Sequence, residues 1–208
     1  MSARQITICN KALNKIGAQP ITTIDDPVKG ARACKQHWDN ALNATLCDLN
    51  WKFARRRFDC PKDDYKVPFE YKNAFALPGD FLKLQYIWNV EKNRVSDEKY
   101  SVEEGRILTD SENCRIVYTG TLASVSTMPD HFERCLIERL AYEIALNLST
   151  LTPEMSQIMY KQYELALANA IDIEGNQQSQ QLTKIDDWIT IRRRFYSRQF
   201  DTGNKDYA

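Results

Sequence analysis

"WKFARRRFDCP", residues 51–61, ends a long apolar stripe in which Cys34, Trp38, Leu42, Leu46, Leu49 and Phe53 recur at three- and four-residue spacing. That spacing predicts one helix from Asp26-Pro27, an N-cap and first-turn proline, to about Phe58, a rod of roughly 45 Å. Gly30 weakens its first turn by about 1 kcal/mol relative to alanine, and Cys60-Pro61 stops it. Arg55, Arg56 and Arg57 then occupy the last turn, where the helix dipole and unpaired carbonyls favour cations by about 0.3–1 kcal/mol each. Their tetrapeptide Arg55-Arg56-Arg57-Phe58 recurs identically as Arg192-Arg193-Arg194-Phe195. Two nucleic-acid grips, two membrane patches, or a helix end and an arm are the competing explanations.

Composition narrows them. The chain has 208 residues with 28 basic and 28 acidic side chains, whereas proteins that live by gripping phosphates usually carry a basic excess. Hydrophobic residues make up 43% and charged residues 27%, ordinary globular usage that argues against disorder. No apolar run approaches the length of a membrane span, and "MSARQITICNKAL" is amphipathic rather than signal-like, so a soluble chain made in a cytoplasm is expected. Cys9, Cys34, Cys47, Cys60, Cys114 and Cys135 include no CxxC pair. Four of them (Cys9, Cys34, Cys47 and Cys135) fall on helical apolar faces, where a free thiol acts as a small hydrophobe.

Ile6, Cys9, Leu13 and Ile16 mark a short first helix, with a capping box at Ser2 and Gln5 and a stop at Gly17. Ile21 and Ile24 pin the following connection to a core. Residues 62–126 change period: Leu82, Leu84, Tyr86 and Trp88 alternate on one strand face, Glu103-Glu104-Gly105 is a turn, and "RILT" and "CRIVYT" flank a four-residue hairpin loop at 110–113. From Pro129 helical spacing returns with Phe132, Leu136, Leu140, Ile144 and Leu148, backed by Ile137, Ala141 and Ala145. Thr152-Pro153 opens a fourth helix carrying Met155, Met159, Tyr163, Ala166, Ala170 and Ile173, which ends near Gly175.

The expected fold is therefore α+β: a mainly helical four-helix bundle (residues 1–61 and 127–182), an inserted small antiparallel β module (62–126) and an extended C-terminal arm (183–208). In the arm, Trp188, Ile191, Arg192, Arg193, Arg194, Phe195, Tyr196, Arg198 and Phe200 interleave aromatic and basic side chains in the manner of a docking segment. Asp186, Asp187, Asp201 and Asp206 blunt any phosphate grip there.

Catalytic signals are weak. Asp25-Asp26, Asp63-Asp64 and Asp186-Asp187 are adjacent carboxylates, which point apart in a helix or strand and do not converge on one atom. His37 and His131 are the only histidines, and neither GxSxG, GxGxxG nor a P-loop is present. No enzyme, metal site or cofactor is expected. The weakest reading is a polysaccharide hydrolase using Asp63 and Glu70.

In chain order, Gly17, Ile21, Ile24, Asp26, Cys34, His37-Trp38-Asp39, Leu46, Trp51-Lys52-Phe53-Ala54 and Arg57 resemble the N-terminal signature of the tail tubular protein A family. Those proteins are head-to-tail adaptors of short-tailed bacteriophages. Leu77-Pro78-Gly79-Asp80 is similar to the family's LPxD turn, Ile107-Leu108-Thr109 and Ile116-Val117-Tyr118 to its hairpin, and Met128-Pro129 with Phe132 and Leu136 to the helix after it. The resemblance covers about residues 5–150. The loop Ala123-Ser124-Val125-Ser126 departs from it by lacking an acidic residue, and nothing after Gln181 corresponds.

The resemblance implies a virion protein assembled in the host cytoplasm. By family analogy twelve copies form a ring between the portal protein and the tail nozzle, with tail fibres as a further contact and double-stranded DNA passing through the channel without sequence-specific binding. Gly17, Trp38, Trp51, Phe53, Ala54, Leu77, Pro78 and Asp80 are its structural motif residues. The competing expectation is a DNA-binding helical protein, a packaging accessory or regulator, using both arginine clusters.

Overall fold

The computed structural model describes residues 2–89, 92–122, 125–147 and 152–176. Among them are four helices and seven strands: α1 (Ala3–Lys15), α2 (Lys29–Asp48), β1 (Arg55–Cys60), β2 (Asn73–Ala76), β3 (Phe81–Asn89), β4 (Arg94–Val95), β5 (Tyr100–Glu103), β6 (Arg106–Thr109), β7 (Cys114–Gly120), α3 (Asp130–Asn147) and α4 (Pro153–Asn176). The fold is α+β, with every strand lying between α2 and α3. Met1–Glu174 forms one compact unit.

α1 begins as expected, with Gln5 N–H donating to Ser2 Oγ at 3.3 Å, and ends on Gly17, whose φ of 71° lets Ala18 N–H reach Leu13 O at 3.0 Å. Asn10 then clamps the next loop through both backbone groups of Ile21, at 2.7 and 2.9 Å, which buries Ile21 and Ile24. Asp26 is not the N-cap of α2. Val28 holds that position without a side-chain bond, and Asp26 instead accepts from the backbone and hydroxyls of Thr22 and Thr23. Gly30 sits where a Cβ would lie 3.2 Å from Leu13 Cδ2, so its small size sets the close approach of α1 and α2.

The largest correction concerns the opening stretch. α2 stops at Asp48, ten residues before Phe58, and Arg55–Cys60 is a strand. Two carbonyls of the helix's last turn are capped from a distance: Trp51 Nε1 donates to Thr45 O at 2.7 Å and Lys83 Nζ to Cys47 O at 2.7 Å. Trp51, fully buried, folds back under the helix end rather than continuing it.

Both sheets are antiparallel, with orders β1-β7-β3-β4 and β2-β6-β5. Glu104 and Gly105, at φ 46° and 74°, make the expected tight turn between β5 and β6. β6 and β7 do not form the expected hairpin. The loop at 110–113 carries the chain from one sheet to the other, where β6 pairs β2 and β5 while β7 pairs β1 and β3. Phe75 and Ile107 from one sheet meet Ile87, Ile116 and Tyr118 from the other in a shared apolar core. β3 also departs from simple alternation. Register shifts after Phe81 and Leu84 leave Ile87 as its buried residue, with Leu84 packed on the sheet core and Leu82 on the helical core.

The helical core draws on all four helices. Ile8 and Leu13 meet Trp38 and Leu46, the α3 stripe of Phe132, Leu136, Leu140 and Ile144, and Tyr163, Ala166 and Ala170 of α4. Glu133 ties α3 to α1 by accepting from Arg4 Nε at 3.0 Å and Lys11 Nζ at 2.7 Å. Tyr163 hydroxyl donates to Asp48 Oδ2 at 2.5 Å, fastening α4 to the end of α2.

Candidate docking surfaces and the joint behind them

Arm residues Trp188, Ile191, Arg192, Arg193, Arg194, Phe195, Tyr196, Arg198 and Phe200 lie outside the described residues. Among the motif residues, Gly17 ends α1 and Trp38 is buried in α2. Most of the others gather at the joint between helices and sheets, built in two adjacent parts.

The first part centres on Trp51. Its ring meets Phe132 edge-on at 4.8 Å, Phe53 packs on Phe132 at 4.8 Å, and His131 lies 5.9 Å from Trp51. His131 Nε2 is 2.9 Å from Glu174 Oε1, and the other carboxylate oxygen accepts from Lys52 N–H at 3.3 Å. Lys52 Nζ donates to the Glu174 carbonyl. A buried acid at the end of α4 thus holds both the loop after α2 and the start of α3.

Asp80 organises the second part. The Leu77-Pro78-Gly79-Asp80 turn is closed by Phe81 N–H to Pro78 O at 3.0 Å, and Leu77 N–H reaches Gly105 O at 3.1 Å. Asp80 accepts from the Tyr118 hydroxyl at 2.9 Å and pairs with Arg56, whose second amine donates to Thr121 O at 2.9 Å. Burial, and then the Asp80 carboxylate, push the Tyr118 phenol above its ordinary range. Ala54 O accepts from Gly120 N–H at 3.2 Å. A Cβ on Gly120 would lie 2.8 Å from Asp80 Oδ2 and 2.9 Å from Arg56 Cδ, so a larger residue there makes this pair shift.

The first arginine cluster is therefore largely committed internally. Arg56 holds Asp80, and Arg55 Nε donates to Gln85 Oε1 at 2.9 Å. Only Arg57 points outward without a partner among the described residues, into a shallow depression of about 410 Å³ with Phe58, Asp59, Tyr86, Trp88 and Arg115. Asp59 there accepts from Arg115 Nε at 2.9 Å.

Other acidic candidates are likewise engaged. Asp63 accepts from Arg106 Nε at 2.7 Å, a bond that holds its carboxyl below the usual range and unsuited to general-acid work. Hydrogen bonds from Thr23 and Thr22 hold Asp26 well below its ordinary value. Among the described residues no group of three His, Cys, Asp or Glu side chains is placed to hold a metal ion.

α4 presents a different kind of surface. Met155, Ile158, Leu165 and Ile173 are 51%, 59%, 51% and 42% exposed, and at helical spacing they flank the buried stripe of Tyr163, Ala166 and Ala170. Leu146 of α3 adds a further exposed apolar side chain at 50%. Sequence reading placed Met155 and Ile173 on the buried stripe. They lie near the two ends of α4 and are exposed.

No protein-family model matches the sequence, and no curated protein matches it.

Proposed function

We propose that this chain is a structural head-to-tail adaptor of a short-tailed phage virion, one subunit of a ring between portal and tail nozzle around the DNA exit channel. The observation that carries the reading is where the family-like motif residues go. Trp51, Phe53 and Ala54 pack in the helical core while Leu77 and Asp80 anchor on the sheets, and no buried side-chain polar atom among the described residues lacks a partner. Such residues hold a shape rather than act on a substrate.

In this reading the four helices serve as a bundle forming the ring wall, and the uncovered apolar face of α4 packs on a neighbouring copy. Repetition of that contact is heterologous, each subunit offering two different faces, and closes at a fixed number of copies, twelve by analogy. The segment 183–208 docks on the neighbour or the portal. The protein carries no catalytic activity, and duplex DNA passes without base-specific contact.

The test is assembly. Full-length protein mixed with the portal protein of the same virus should yield rings seated on the portal by electron microscopy, and Ile158→Asp with Leu165→Asp should abolish ring closure while leaving helicity unchanged. Truncation at residue 182 should weaken portal binding. A chain that binds duplex DNA with sequence preference and a steep salt dependence, and no portal, would overturn the reading in favour of the DNA-binding alternative.

A further inference from the structure

Four of the six cysteines meet as two thiol pairs, one in each apolar core. Cys9 of α1 contacts Cys34 of α2, and Cys60 of β1 contacts Cys114 of β7. All are free thiols. The pairs differ in position. Cys60 and Cys114 are direct cross-strand partners in the final rung of the β1–β7 ladder, between Pro61 and Asn113, where strand ends open most readily. Opposed residues of an antiparallel ladder have Cα atoms about 4.5–5.5 Å apart, inside the roughly 4.4–6.8 Å that a disulfide spans. Cys9 and Cys34 lie within helices and are fully buried.

We propose that Cys60 and Cys114 form an oxidisable pair that a small disulfide of the glutathione class converts to an intramolecular disulfide locking β1 to β7, while Cys9 and Cys34 stay reduced in the folded chain. The Cys60 thiolate attacks one sulfur of the reagent, breaking its S–S bond and releasing one half, which takes up a proton as a thiol. Cys114 gives up its proton and attacks Cys60 Sγ in the mixed disulfide, expelling the second half. Two protein thiols and one small disulfide thus become one protein disulfide and two small thiols. Cys60, 6% exposed against 1% for Cys114, is the more accessible of the two and is the attacking group. The chemistry does not depend on the adaptor reading.

The native full-length protein is incubated with oxidised glutathione, capped with N-ethylmaleimide and mapped by non-reducing peptide mass spectrometry. The expected product is lighter by two hydrogens, contains a Cys60–Cys114 cross-linked peptide, and melts roughly 10 °C higher, reversibly with dithiothreitol. Cys114→Ala should stop the reaction at a glutathione adduct on Cys60. Recovery of Cys60 and Cys114 as free thiols while half-buried Cys47 acquires glutathione would overturn the proposal. So would formation of a Cys9–Cys34 link first, or an unmodified Cys60 in Cys114→Ala.

Discussion

Replacing Asp80 by alanine tests the joint at its centre. The carboxylate accepts from Tyr118, whose residue is 4% exposed, and pairs with Arg56, the two charged side chains being 28% and 40% exposed. A hydrogen bond to a charged acceptor at a buried hydroxyl contributes about 1.5–2 kcal/mol, and its loss leaves that hydroxyl unsatisfied. Solvent screening limits the half-exposed ion pair to about 0.5–1 kcal/mol. The expected loss is therefore about 2–3 kcal/mol, or a fall in Tm of about 4–12 °C for a chain of this size. Urea titration followed by tryptophan fluorescence and far-UV circular dichroism measures it. Tyr118→Phe should cost about 1 kcal/mol, and the two substitutions should couple by about 1 kcal/mol in a double-mutant cycle. An Asp80→Ala protein within about 0.5 kcal/mol of the parent, or strict additivity with Tyr118→Phe, would show that Asp80 is not the organising residue.

Gly120→Ala should destabilise by about 1–3 kcal/mol through contact with Asp80 and Arg56, and by less in an Asp80→Ala background; equal cost in both backgrounds would contradict the packing described. Trp51→Phe keeps a ring against Phe132 but removes the donor to Thr45 O, so equilibrium unfolding should register a loss of about 1–3 kcal/mol, and an unchanged midpoint would refute the capping role. Burial pushes the Glu133 carboxyl up, but Lys11 and Arg4 together outweigh it and hold the group below its ordinary value of 4.5. A depressed carboxylate contributes stability above its unfolded pKa and loses it as pH falls through the folded one, so the advantage of the parent over Glu133→Gln should shrink on acidification below about pH 5. A pH-independent difference in denaturation midpoints would sink that assignment.

The helices were legible where their periodicity coincided with local stop signals. Ser2 and Gln5 open α1, Gly17 closes it, and Thr152 opens α4 by accepting from Met155 N–H at 3.3 Å. The end of α2 was not legible, because Leu49 and Phe53 continue its stripe in register while the groups that cap it, Trp51 and Lys83, act through side chains and, for Lys83, from far along the chain. Asn50, a residue common just beyond helix ends, was the available local hint. β6 and β7 misled for the opposite reason. Two short apolar runs across four polar residues satisfy a hairpin rule, and only the partners β2 and β1 show that they belong to different sheets. Trp51, Phe53, Ala54 and Asp80 were named from the sequence, whereas Arg56, Gly120, His131 and Glu174, which the structure places against them, were not. No sequence period links positions so far apart.

The bonds of Glu174 carry a mechanical consequence. It is the last residue of the compact unit, and it grips Lys52 and sits against His131. Tension applied to the chain just past it would load the bonds to Lys52 and His131, at the joint between helices and sheets.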